Sequence, residues 1–207
     1  MKLFLVVLLL LVTPLQAQDT VRVKHSNYES VFSKSKKYPV LVEWWVTTAK
    51  IKCSNPTKRG DKFIPDPKLP VDSDIASDYV GSGFDRGHLA PAADQQCLGA
   101  QVMAESFYFT NMVPQYPGLN RGQWKALEDY TRKLALEHDS VFVQTGCVGE
   151  ASRIKRVAVP THCWKVIRVK QQTEAYVFPN VPQRSTSFKL HKVQIDSIKS
   201  LTKLPIQ

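Results

Sequence analysis

Between Tyr38 and Thr48 the chain alternates, so that Val40, Val42, Trp44 and Val46 share one face and Leu41, Glu43 and Trp45 the other. Alternation with a period of two marks a strand. Both faces carry apolar groups, so this strand is expected to be largely buried. Its two tryptophans are expected to fill core rather than to stack on bases. With 207 residues in all, the chain is ample for such a core and has the length of one domain.

Around that strand the pattern is mixed. Asp19 to Lys37 is polar and basic and reads as an extended arm. Lys50 to Gly83 is rich in Pro, Asp, Lys and Ser and reads as a long ordered loop, a type that usually carries function. Strands are expected at 84–90, 106–113, 140–147, 156–169 and 174–178. Helices are expected at 92–105, 122–138 and 193–201, the second with Trp124, Leu127, Tyr130 and Leu134 on its inner stripe. The pattern is mixed and mostly antiparallel, with hairpins rather than regular βαβ units.

The N-terminus has the form of a signal peptide. Lys2 precedes an apolar run from Leu3 to Val12, and Ala17 closes a cleavage region. The run is too short to span a bilayer, and no later stretch could. A secreted or periplasmic protein with residues 18–207 as its single domain is expected. Loss of Lys2 takes the formal charge from +10 to +9. So basic an exported protein suits a polyanionic partner, nucleic acid first. A basic surface kept for solubility stays open on charge alone. Cys53, Cys97, Cys147 and Cys163 imply disulfides in an oxidising compartment, with three connectivities to choose from. Cys147 and Cys163 lie at facing ends of two predicted strands and are expected to pair, leaving Cys53 with Cys97.

The chemistry concentrates in Gly83-Phe84-Asp85-Arg86-Gly87-His88-Leu89-Ala90-Pro91. Arg86 can hold a phosphate bidentately. His88 can act as general base, its rate rising with pH through histidine's ordinary range of about 6 to 7. Asp85 could orient the imidazole or begin a turn. Gly87 suits a backbone that needs positive φ or a close approach. Downstream lie Thr110-Asn111-Met112-Val113-Pro114-Gln115, Leu119-Asn120-Arg121-Gly122-Gln123-Trp124 and Leu127-Glu128-Asp129. Alone, Asn120 would be a helix cap and Glu128 half of an exposed i,i+4 pair with Arg132.

Taken together and in this order, these blocks resemble the DNA/RNA non-specific endonucleases of the ββα-metal superfamily. Looser similarity runs on through Val159-Pro160-Thr161-His162-Cys163-Trp164-Lys165-Val166. The resemblance implies an α+β domain with a ββα-metal finger packed on a central, mostly antiparallel sheet, and cleavage of DNA and RNA with little sequence preference to leave 5′-phosphates. It gives His88 the role of base, Arg86 and Arg59 the phosphate, and Asn111 a supporting polar role. Asn120 would hold a single Mg²⁺ or Mn²⁺ directly and Glu128 would hold it through water. It is compatible with a homodimer. His25, His138, His162 and His191 have no such context and read as structural or exposed. Two other readings remain at this point: a basic nucleic-acid-binding module without catalysis, and a metal-dependent phosphodiesterase acting on small nucleotides.

Overall fold

The computed structural model describes residues 19–182 and 187–207, so the expected signal peptide lies outside the described residues. Seven strands make one antiparallel sheet. In chain order they are β1 (Thr20–Lys24), β2 (Tyr28–Ser33), β3 (Tyr38–Thr47), β6 (Ser140–Val148), β9 (His162–Val169), β10 (Gln172–Pro179) and β11 (Lys192–Val193), and they are neighbours in that same order. Between β3 and β6 the chain leaves the sheet. There it forms helix α1 (Thr48–Ile51), strand β4 (Asp85–His88), helix α2 (Ala100–Glu105), strand β5 (Met112–Gln115) and helix α3 (Lys125–His138). β4 and β5 pair antiparallel as a separate ribbon. A second small ribbon, β7 (Ser152–Ile154) with β8 (Val157–Val159), interrupts the way from β6 to β9, and helix α4 (Ile195–Thr202) ends the fold.

The double apolar character of β3 is explained by cover on both faces. Trp44 and Val46 face a core shared with Leu127 of α3, Leu89 and Val113 of the β4–β5 region, and Val143 and Ile167 of the sheet. Leu41 faces the other way, into a core made with Trp164, Val166, Ile198 of α4 and Ile206. A fully buried leucine such as Leu89, Leu119 or Leu127 contributes about 1.5–3 kcal/mol of transfer free energy. Trp45 departs from the expectation. It is 48% exposed and meets Phe142 on the outer surface.

Other expectations are corrected. The arm at 19–37 is the β1–β2 hairpin, whose Val23, Tyr28 and Phe32 are buried. The helix expected at 92–105 is broken. A 3₁₀ turn covers Ala92–Gln95, Gly99 takes φ = 89°, and only then does α2 begin. The strand expected at 106–113 starts late, because Phe109–Asn111 is a 3₁₀ turn and β5 runs on through Pro114 and Gln115. The helix expected from Gly122 begins regularly at Lys125, after a π-helical turn over Leu119–Trp124. Cys147 and Cys163 are directly opposed on β6 and β9 and are bridged. Cys53 and Cys97 form the other disulfide. Among the described residues no helix is long and apolar enough to cross a membrane.

Candidate active site

His88 ends β4, and the segment that follows is fixed from behind. The amide of Asn111 accepts from Ala90 N (2.8 Å) and donates to Ala90 O (2.9 Å) and Ser106 O (2.8 Å). The backbone carbonyl of Asn111 accepts from Leu89 N (3.0 Å). All of the Asn111 side chain is thereby used on main chain, and it does not line the cavity below. Asn111 thus braces the segment that follows His88. Gly87 has no positive φ. A Cβ there would lie 2.1 Å from Gln115 Oε1 and 2.6 Å from its Cδ, so the glycine leaves room for a side chain of the paired strand.

The imidazole stands in an aromatic corner. Phe107 meets it at 4.9 Å with rings perpendicular, and Phe63 at 5.7 Å. Each of these rings also carries a guanidinium: Arg59 lies 5.5 Å over Phe107, and Arg86 lies 5.2 Å over Phe63 and 5.5 Å over Tyr79. His88 Nε2 and Arg86 Nε are buried without a hydrogen-bond partner. Burial first, and the Arg59 charge second, push the His88 pKa down to about 3. The imidazole is therefore neutral throughout the range where an ordinary histidine titrates, and the midpoint expected near 6 to 7 is displaced far below it.

Opposite this corner is a polar wall. Asp85 does not orient His88. Its carboxylate takes Asn120 Nδ2 (2.9 Å) and both Nε (2.8 Å) and Nη2 (2.6 Å) of Arg121. Burial would raise the Asp85 carboxyl, and the hydrogen bonds from Arg121 and Asn120 outweigh it and hold it below its ordinary value. With its nitrogen committed to Asp85, Asn120 has its amide oxygen to offer the cavity. It sits within the π-helical turn and is no helix cap. Glu128 lies in the first turn of α3, with 13% of its side chain exposed. It makes no surface pair with Arg132, which instead bonds Asp94 (2.9 Å) and Asp129. The cation nearest Glu128 is Lys165, at 4.0 Å. Burial raises the Glu128 carboxyl well above the ordinary carboxylate range, against the opposing pull of Lys165.

One cavity of about 420 Å³ brings these groups together. Arg59, Arg86, His88, Asn120 and Glu128 all line it, joined by Arg121, Lys125, Asp129 and Arg132. Five cations face two carboxylates, so the cavity is strongly cationic. The sequence profile of the family described as DNA/RNA non-specific endonuclease matches residues 10–207. The chain belongs to that family.

Among its relatives, the mitochondrial nuclease 1 of Schizosaccharomyces pombe is 34% identical over 186 residues, which are 78% of this chain and 57% of that protein. A nuclease of Nostoc sp. is 31% identical over 207 residues, 92% of this chain and 74% of that one. A chain in the crystal structure of the EndoG/EndoGI complex matches the fold with a TM-score of 0.81 and 28% identity, covering 89% of this chain and 84% of the other. The shared architecture is the ββα-metal one: β4, β5 and α3 form the finger, packed on the antiparallel sheet. The chain spans little more than half of the S. pombe relative.

The endonuclease family's divalent cation can be tested against the donors present. Among the described residues no group of three or more His, Cys, Asp or Glu side chains could cage a metal. What the cavity offers is the anchored amide oxygen of Asn120 and the carboxylate of Glu128, since Asp129 is paired with Lys125 and Arg132. That set fits Mg²⁺, which keeps most of its water and needs few protein ligands. The family's motifs gave no role to Arg121, Phe63, Tyr79, Phe107 or Lys165. Arg121 follows Asn120 in the same block but carried no role. The partners of Asp85 lie across the hairpin, 35 and 36 residues away. The aromatic corner comes from Phe63, Tyr79 and Phe107, which no local pattern connects. Lys165 stood in the block from Val159 to Val166 with nothing to mark it as buried.

Proposed function

We propose that this protein is an exported, metal-dependent endonuclease that hydrolyses phosphodiester bonds of DNA and RNA with little sequence preference. The observation that carries the reading is a buried, unpartnered His88 Nε2 in the same cationic cavity as Arg86, Arg59, Asn120 and Glu128. In the proposed reaction Nε2 accepts a proton from water, whose oxygen forms the new bond to phosphorus. The P–O3′ bond breaks, leaving a 5′-phosphate on one fragment and, after protonation, a 3′-hydroxyl on the other. Arg86 and Arg59, oriented on their aromatic rings, stabilise the added charge on the phosphate oxygens. Asn120 directly and Glu128 through water would hold a divalent cation, which would supply positive charge to neutralise the leaving oxygen. Low sequence preference agrees with a cavity that presents guanidinium groups to phosphate, since phosphate contacts carry no base information. Export is supported by Lys2, the apolar run and the two disulfides.

The decisive experiment digests supercoiled plasmid, single-stranded RNA and a dinucleotide, with Mg²⁺ and with EDTA. The ends are then labelled before and after phosphatase treatment. Mg²⁺-dependent cutting of both polymers with phosphatase-sensitive 5′ ends is the expected result. Cleavage of the dinucleotide alone, or cutting unaffected by EDTA, overturns it.

A further inference from the structure

Lys165 lies on β9, opposite Thr145 of β6 and Tyr176 of β10, in the interior of the large sheet. Alternation places it on the face of Cys163, Ile167 and Val169, all members of the main apolar core. A lysine there breaks the local rule, and its side chain is only 1% exposed. A buried ammonium is costly, and an apolar residue of similar volume often serves stability as well or better. Departures of this kind gather at functional sites.

What surrounds the ammonium is specific. Nζ lies 4.3 Å over the ring of Trp124 and 5.7 Å over that of Trp44. The indole of Trp124 donates to the backbone carbonyl of His88 (3.1 Å). That of Trp44 donates to Asp94 (3.0 Å), which in turn holds Arg132 at the cavity. The nearest carboxylate oxygen is Glu128 Oε1, at 4.0 Å. One buried cation therefore touches the acid of the polar wall and the indole that grips the His88 strand.

We propose that Lys165 is a positioning residue that fixes the Glu128 carboxylate at the cavity wall and, through Trp124, sets its place relative to His88. The proposal rests on the reading of Glu128 as a group that binds the cation through water. A fixed charge on a strand of the sheet gives α3 a point of reference that packing alone does not. The carboxylate is held where it can order water around a cation bound at Asn120. Partners of this outer kind typically change metal affinity by about 10–100-fold when removed.

The test uses the full chain with Lys165→Met, Glu128→Gln and the double substitution. Mn²⁺ affinity is measured by electron paramagnetic resonance without nucleic acid, and single-turnover cleavage is followed against Mg²⁺ concentration. Lys165→Met should weaken Mn²⁺ binding about 10-fold and raise the Mg²⁺ needed for half-maximal rate by a similar factor. The double variant should be no worse than Glu128→Gln alone, since the lysine acts through that acid. If Lys165→Met does not fold, the double variant against Glu128→Gln still decides: equality supports the proposal and a further loss overturns it. Unchanged Mn²⁺ affinity in Lys165→Met, or losses that add in the double variant, also overturn it. If Glu128→Gln itself binds Mn²⁺ and cuts as wild type does, the cation reading of Glu128 falls, and the positioning proposal with it. If Glu128→Gln is impaired and Lys165→Met is not, only the positioning proposal falls.

Discussion

His25 and His88 are 6% and 8% exposed, and they differ in what meets their ring nitrogens. His25 Nε2 lies 3.0 Å from Asp66 Oδ2 and 3.4 Å from Thr110 Oγ1, and Thr110 also donates to Asp66 (2.6 Å). This cluster clasps the β1–β2 turn to the long loop and to the 3₁₀ turn before β5. His88 is buried against phenylalanine rings, and its Nε2 meets no protein partner. Both rings are withdrawn from solvent, so burial does not separate architecture from chemistry. Satisfaction does. A buried polar group left unmatched is expensive, and a fold keeps one where a ligand or a reaction completes it.

The sharpest test of that contrast is on rate. His88→Ala should lower single-turnover cleavage by about 10²–10⁴ while substrate binding in Ca²⁺ is retained. His25→Ala should leave the rate per folded molecule within a few-fold. If the two variants lose rate equally, the division of roles between them is wrong.

On stability the order reverses. Removing His25 takes a hydrogen-bonding partner from the buried Asp66 carboxylate, which keeps Thr110 and the Lys68 amide, and should cost about 1–3 kcal/mol. His88→Ala gives up an unpartnered group and should cost clearly less. Urea unfolding at pH 7.5 reads both, and a larger loss for His88→Ala breaks the comparison.

Acid sharpens it further. The folded pKa of His88, about 3, lies below the ordinary 6.5. As pH falls below 6.5 the unfolded chain takes up a proton that the folded chain refuses, so stability is lost until about pH 3 is reached. By pH 5 the loss from this group is about 2 kcal/mol. Wild type should therefore lose that much more than His88→Ala between pH 7.5 and 5. Equal losses mean that the ring is not kept dry.

The smallest effect is an expected constancy. Because His88 is already neutral, the cleavage rate should show no His88-dependent fall between pH 7 and about 5. An acid limb centred near 6.5, the ordinary histidine value, would place the imidazole in water.

The site was legible where its parts are close in sequence. Asp85 to His88 is a single short block, and Asn120 and Glu128 flank one helical start, so residue order read through the family resemblance pointed to groups that meet in one cavity. The functions that depend on contacts from far away were not legible. Asp85 was read beside its neighbour His88, but the hairpin turns it to Asn120 and Arg121. Asn111 was read as a polar site residue, yet its amide is spent on Ala90 and Ser106. For the fold, β3 was clear because both its faces are buried, while β1 is an edge strand whose exposed Arg22 and Lys24 resemble loop. The break at Gly99 was hidden in a run otherwise suited to helix. The disulfide between Cys147 and Cys163 could be foreseen because strand register itself brings the two together.

Gly87 gives a last consequence, for how such a chain can drift. The atoms that would collide with a Cβ at this position are the Oε1, Cδ and Cγ of Gln115. The glycine between arginine and histidine thus answers to a residue of the neighbouring strand, with no reference to substrate or cation. Positions 87 and 115 are therefore coupled: alanine at 87 requires the Gln115 side chain to swing aside or be shortened.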